Sequence, residues 1–356
     1  MTQSTPAAPA ATPPKLEITT SRLFSSWMIE QQASICFTTY QSGKIFFLGI
    51  NPQTGKLSTF ERTLERVMGL CLDGKNIYTS TLYQIWRFAN LLPQGQLHNG
   101  YDAVYVPRES RVTGDIDVHD MAVDKNGRLL FVNTLFGCVA TTDPHFSFRR
   151  VWMPEWIDKV VPEDRCHLNG LALRDGELRY CTAVSRSNVS DGWRDKRSTS
   201  GVIVDTQSNQ IVAEGLAMPH SPRWHNGHLY FLNSGKGYLC RLDVNTGVVE
   251  EITFLSGYAR GMGIIGDWAV IGLSDRRENR TFQDLPLEQE LAKHDAQTRC
   301  GLQIVNLRTG EAPHWVRIEG VVKELYDVVA IPGVRNPMAI GFRNDEIRHY
   351  INHPEA

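Results

Sequence analysis

Short apolar stretches alternate with polar positions along this chain, and each is closed by turn residues. One arrangement recurs, in which a leading residue, mostly polar, stands just ahead of a small apolar strand. Its copies read Met68-Gly69-Leu70-Cys71-Leu72, His119-Asp120-Met121-Ala122-Val123, Asn169-Gly170-Leu171-Ala172-Leu173 and His220-Ser221-Pro222-Arg223-Trp224. Two weaker copies follow, Arg260-Gly261-Met262-Gly263-Ile264 and Tyr326-Asp327-Val328-Val329-Ala330. The leading residues are 51, 50, 51, 40 and 66 positions apart. A period near ~50 with several short strands per unit predicts propeller blades.

Within a repeat, alternation and turns resolve the strands. Asp117–Val123, the turn Lys125-Asn126-Gly127, Arg128–Asn133, Phe136–Thr141 and Phe146–Trp152 make one predicted blade. Asx-led turns ending in Gly recur at 51–55, 245–247 and 306–310, as expected where φ must turn positive. The innermost strands predict six blades. Strands near Ser34–Tyr40, Lys44–Ile50 and Leu57–Thr63 lack an inner partner, and Tyr326–Ile331 near the other end supplies it, closing the ring. The expected fold is therefore an all-β, six-bladed propeller of four-stranded blades, one domain over residues 16–356. A seventh blade would need strands hidden in 274–300, where Leu287, Leu291 and His294 instead predict an amphipathic helix over Leu285–Gln297.

In such a blade, the connection into the inner strand and the one between strands two and three open on the same face. Long segments fall at these positions: Pro107–Asp115, Pro154–Arg165, Ser185–Ser200 and Ser274–Arg299, the last also a candidate contact in a homo-oligomer. Long loops in a compact domain tend to be functional. The starts of the inner strands lie on that face too, so chemistry is expected at one channel mouth.

Composition narrows the class. A net charge of −2 without a basic stripe argues against nucleic acid as partner. No apolar run approaches the ~20 residues that span a bilayer. Residues 1–15 are rich in Thr, Ala and Pro, without the basic start and apolar core of a secretory signal, and predict a disordered tail. Seven cysteines without a CxxC pair argue for buried reduced thiols and a cytoplasmic setting. With no P-loop, GxSxG, HExxH or GxGxxG after a strand, no nucleotide cofactor is expected.

His119, Asn169, His220, Arg260, Tyr326 and Met68 take equivalent ring positions, and His167, two residues before Asn169, faces the same channel. Three imidazoles at one end of a channel make a candidate site for a divalent Fe, Mn or Zn ion, with Asn169 as a fourth or supporting group. Hydrogen bonding in a water-filled channel, or metal-free acid–base work, accounts for the same histidines. Arg260, with Arg276 and Arg277 in the insertion, can clamp a carboxylate or phosphate; an ion pair with Asp120 or Asp327 is the competing role. Tyr326 and Asp120 are further candidates for proton transfer, and Trp193 for stacking on a ligand.

The strings Cys166-His167-Leu168-Asn169-Gly170-Leu171-Ala172 and Met218-Pro219-His220-Ser221-Pro222-Arg223-Trp224 resemble an uncharacterised bacterial family of about this length, a domain of unknown function. Ala259-Arg260-Gly261-Met262 and Gly272–Glu278 extend the likeness, which covers Leu23 to Tyr326. It implies no substrate. More broadly, the repeat is similar to propeller lyases and lactonases. The Glu, Asn and Asp ligand pattern of gluconolactonases is absent, and the closer analogy is the three-His cluster of polygalacturonate lyases. The leading expectation is a metal-dependent lyase or isomerase, or a non-haem iron oxygenase, acting on a small anionic metabolite or modified peptide. Its rival is a non-enzymatic propeller that binds a peptide or protein partner.

Overall fold

The third blade illustrates how the sequence builds each unit. Asp124 caps its first turn, accepting from the backbone N–H of Asn126 and Arg128 at 2.9 Å, while Gly127 takes φ +76°. That turn reverses Val118–Val123 into Leu129–Asn133, every residue of which is buried; Cys138–Thr141 and Arg149–Trp152 complete the sheet. The computed structural model describes residues 15–275, 284–342 and 345–353. Six such sheets form a ring, a six-bladed β-propeller. Residues 1–14 of the expected tail, and Arg276 and Arg277, lie outside the described residues.

The innermost strands are Leu70–Asp73, Val118–Val123, Leu168–Arg174, Pro219–His225, Tyr258–Ile265 and Val328–Pro332. The last pairs antiparallel with Ala33–Thr38, which continues into Lys44–Ile50 and Leu57–Thr63, so both ends of the chain share one blade as the repeat predicts. Two strands were not anticipated. Glu17–Thr20 adds to the outer strand His314–Glu319, and Pro337–Ala339 pairs parallel with the start of Ala103–Val112. Both cover outer edges that would otherwise offer unpaired backbone.

The expected loop Pro107–Asp115 is largely strand: pairing with Gln84–Asn90 runs on to Val112. Pro107 is tolerated because it sits where the register shifts, next to a bulge in an outer strand. The amphipathic helix forms over Leu287–Lys293 and buries Leu287 against Trp193, Met218 and Tyr258. A second helix, Phe24–Gln31, buries Phe24, Trp27 and Met28. Apolar clusters lie between neighbouring blades, as in the one that joins Leu130 and Val132 to Leu168 and Leu171. All seven cysteines are buried and unpaired. No helix among the described residues is long and apolar enough to cross a membrane.

Polar bonds on the axis tie the ring together. Arg223 donates to both oxygens of Asp120 at 2.8 and 3.1 Å and lies 3.8 Å from Asp327. It also donates to the carbonyls of Met262 and Leu171. Asp120 accepts the Leu171 N–H, and Asp327 the Leu70 N–H. One side chain and two carboxylates thereby reach all six inner strands. Gly261, at φ +71°, permits the close approach: a Cβ there would stand 2.5 Å from the Asp327 Cα.

Candidate active site at the channel mouth

Four of the six leading residues, Met68, His119, Arg260 and Tyr326, border a cavity of about 150 Å³ on the mouth face, above this axial cluster. Met68, His119, His167, Arg260 and Tyr326 line it, joined by Tyr40, Asp117, Asp164, Trp193, Arg194 and Met218. His119 and His167 meet edge to face with ring centres 4.9 Å apart, and Tyr326 lies 5.4 Å from His119.

The bonds that fix all three histidines run through Nδ1. His119 Nδ1 is 3.0 Å from the Asp117 carbonyl and 2.8 Å from the Thr134 hydroxyl. That hydroxyl gives its own proton to the Leu168 carbonyl, so it accepts from His119. His220 Nδ1 is 2.8 Å from the Met218 carbonyl, and His167 Nδ1 is 2.9 Å from the Asp164 carboxylate. Each Nδ1 therefore carries a proton, so that the neutral form of each ring has its lone pair on Nε2. Among the described residues, none of the three Nε2 atoms has a hydrogen-bond partner. Burial lowers the His119 pKa to about 4 against an opposing pull from Asp117. Burial, and then the Arg260 charge, takes His220 well below its ordinary value. Both rings are neutral near pH 7.

Arg260 gives one N–H to Glu324 at 2.8 Å, and its guanidinium carbon lies 5.2 Å from the Tyr326 ring centre. The Tyr326 hydroxyl is buried and, among the described residues, has no hydrogen-bond partner. Burial, then the nearby Asp117, pushes its pKa well up, so it is a proton donor rather than a phenolate.

Asp164 was not among the residues singled out in the sequence. One of its oxygens accepts from both His167 Nδ1 and the Trp193 indole N–H, each at 2.9 Å. Asp164 and His167 both take positive φ, 42° and 50°, a local strain that the structure holds through the Asp164 N–H bond to the Leu135 carbonyl. A Cys-His-Leu-Asn string does not announce such a pair, because the carboxylate comes from the preceding loop.

Other expectations are corrected. Asn169 is the extra residue where the pairing of its strand shifts between Leu168 and Gly170. Its side-chain oxygen accepts from Thr182, and it does not line the cavity. That bulge hands its ring position to His167. Asp120 pairs with Arg223 rather than Arg260 and lies below the mouth, and Asp327 makes no bond to Arg260 either. Trp193 is buried and stacks on His167 at 4.1 Å, so this face is taken by protein rather than by a ligand. His220 adjoins the cavity without lining it. Among the described residues, no group of three or more His, Cys, Asp or Glu side chains is disposed to hold a metal ion.

A family model described as Domain of unknown function (DUF4915) matches residues 22–340. No curated protein matches the chain. Among solved structures, a chain of the crystal structure of a nidogen/laminin complex is similar, at 15% identity with a TM-score of 0.52 over 85% of this chain and 99% of that one. That likeness concerns the propeller fold alone.

Proposed function

The chain belongs to the DUF4915 family, a domain of unknown function that brings no activity with it, and from this premise we propose that the mouth is an acid–base site for a small carboxylate-bearing molecule. The observation that carries the reading is the set of imidazole Nε2 lone pairs held beside a guanidinium and an unpartnered phenol. Arg260 and the Tyr326 O–H hold the carboxylate. His167 Nε2 takes a proton from the carbon beside it, with Asp164 fixing the ring. The electron pair moves into the carboxylate, where Arg260 and Tyr326 meet the added charge. In a substrate with a double bond next to that carbon, returning the proton at the far end of the double bond completes an isomerisation. In one with a leaving group on the neighbouring carbon, the electron pair forms a double bond as that group departs, completing an elimination, a lyase reaction.

A second reading, a divalent Fe, Mn or Zn ion on His119, His167 and His220, has one specific observation behind it. Histidine ligands usually donate their other N–H to a carboxylate or carbonyl, and here all three do. It requires the three Nε2 atoms to draw together. The ion would polarise the substrate, and iron would add oxygenase chemistry. The buried, unpaired thiols support a cytoplasmic setting for either reading.

The test is solvent exchange. Metal-free protein and H167A are incubated with a panel of small carboxylates in D₂O, and C–H loss is followed by proton NMR. Exchange by the metal-free wild type alone is expected. Exchange that appears only after loading with Mn, Fe or Zn moves the function to the metal reading. Binding without exchange under either condition leaves a ligand-binding propeller.

A further inference from the structure

Arg260 is not the only charge at the mouth. The Asp117 side chain lines the same cavity and is 31% exposed. Among the described residues its carboxylate accepts no hydrogen bond. The nearest ring nitrogen, His119 Nδ1, is 3.7 Å away and gives its proton to the Asp117 carbonyl and to Thr134 instead. Asp117 and Arg260 feel each other's charge, yet no ion pair joins them. Asp164 and Arg194 line the cavity too, but Asp164 is engaged by His167 and Trp193 and Arg194 by Asp191, so it is Asp117 and Arg260 that face it from two sides without touching. The Tyr326 phenol lines the same cavity, its hydroxyl buried and, among the described residues, without a partner, with the Tyr40 ring 5.5 Å from its own.

An anion alone would be served by Arg260 and Tyr326 and repelled by Asp117. A molecule with both charges uses all three. About 150 Å³ is also small: it is room for roughly five waters at liquid density and below the ~300 Å³ at which sites for drug-sized ligands begin.

We propose that the ligand of the mouth is a small zwitterion, a free α-amino acid, whose carboxylate lies on Arg260 and the Tyr326 hydroxyl and whose ammonium lies on Asp117 beside the Tyr40 and Tyr326 rings. This rests on the reading of Arg260 as the carboxylate holder and adds the ammonium to it. Tyrosine faces suit an ammonium group, and a nearby carboxylate makes the pairing charge-assisted.

The experiment uses the full chain and titration calorimetry. The probes are the twenty common L-amino acids, followed by the N-acetyl and amide derivatives of any that bind, with acetate, glycolate and pyruvate as plain carboxylates. One or more amino acids bind to the wild type. Acetylation of the amine weakens binding at least tenfold, and so does D117N, which leaves the N-acetyl derivative unaffected. An N-acetyl derivative as tight as its parent, or D117N without effect on the parent, overturns the ammonium contact and leaves the carboxylate reading standing. So do plain carboxylates that bind where no amino acid does. An amide as tight as the free acid, or no binding by any probe, removes the carboxylate reading as well. If D117N fails to fold, the derivative series on the wild type decides alone.

Discussion

Replacing Arg223 by Met keeps much of the side-chain volume and removes the charge that two carboxylates share. Asp120 and Asp327 are each only 3% exposed, and Arg223 keeps 23% of its side chain open to the cavity at the far end of the channel. Removing one partner from a buried pair costs about 3–5 kcal/mol, chiefly because the other is left uncompensated. Water reaching the far end favours the lower figure. At ~2.1 cal/mol/K per residue, the unfolding entropy of a 356-residue chain is about 0.75 kcal/mol/K. The expected fall in Tm is then about 4–7 °C. The loss also depends on pH. Burial and the neighbouring Asp120 already raise the Asp327 pKa, while Arg223 pulls it down, so R223M raises it further. A carboxyl with a raised folded pKa binds more protons folded than unfolded. Its effect is to lower stability as pH climbs from the ordinary carboxylate range near ~4. Asp327 in the wild type is raised to about 8, so below that both proteins keep it protonated; R223M should thus lose more at pH 9.5 than at pH 6, and R223M/D120N should lose less than the two single variants summed. Calorimetry and urea unfolding at the two pH values measure this. A loss below about 1 kcal/mol, or equal losses at pH 6 and pH 9.5, would refute the idea that the axis is held by charge.

Two other predictions concern the mouth. D164A strips the acceptor from His167 Nδ1 and strands the buried Trp193 indole N–H, which should cost about 1–3 kcal/mol. Nitrogen-15 NMR should show His167 changing from one fixed tautomer to a mixture, and an unchanged spectrum would mean that Asp164 does not orient it. A fall in the His119 pKa from 6.5 to about 4 is worth about 3 kcal/mol at 1.36 kcal/mol per unit. The folded ring resists the proton that the unfolded chain accepts, so this stability is present above pH 6.5 and lost as pH falls toward 4. H119Q should flatten the slope of stability against pH across that window, and parallel slopes for the two proteins would sink the assignment.

The ring was legible in the sequence because its period is local chemistry repeated: a leading residue, a strand, an Asx–Gly turn. The composite blade was legible too, since strands at one end lacked an inner partner that the other end had to spare. What the period cannot encode is which way a residue turns at an irregularity. Asn169 holds the equivalent position by count, and a bulge there gives the place to His167. Arg223 reads as part of an apolar inner strand, and only closing the ring brings it to Asp120 and Asp327, residues 103 and 104 positions away. Asp164 and Asp117 are ordinary loop carboxylates until their positive φ turns them to the mouth.

The closing blade has a consequence for the order in which the protein can be made. Asp327 bonds to Leu70 across 257 positions, and Thr38 meets Asp327 across 289. A nascent chain has made most of its length before Val328–Pro332 exists to pair with Ala33–Thr38. Until then Ala33–Thr38 has an open inner edge, and Arg223 can hold only one of its two carboxylates. Blades from Leu70 onward can assemble as they leave the ribosome, since each pairs with strands close by in the chain. The first blade must wait. Chains cut short of Val328 should therefore be prone to join edge to edge with one another, and degradation of incomplete products would act on that exposed strand.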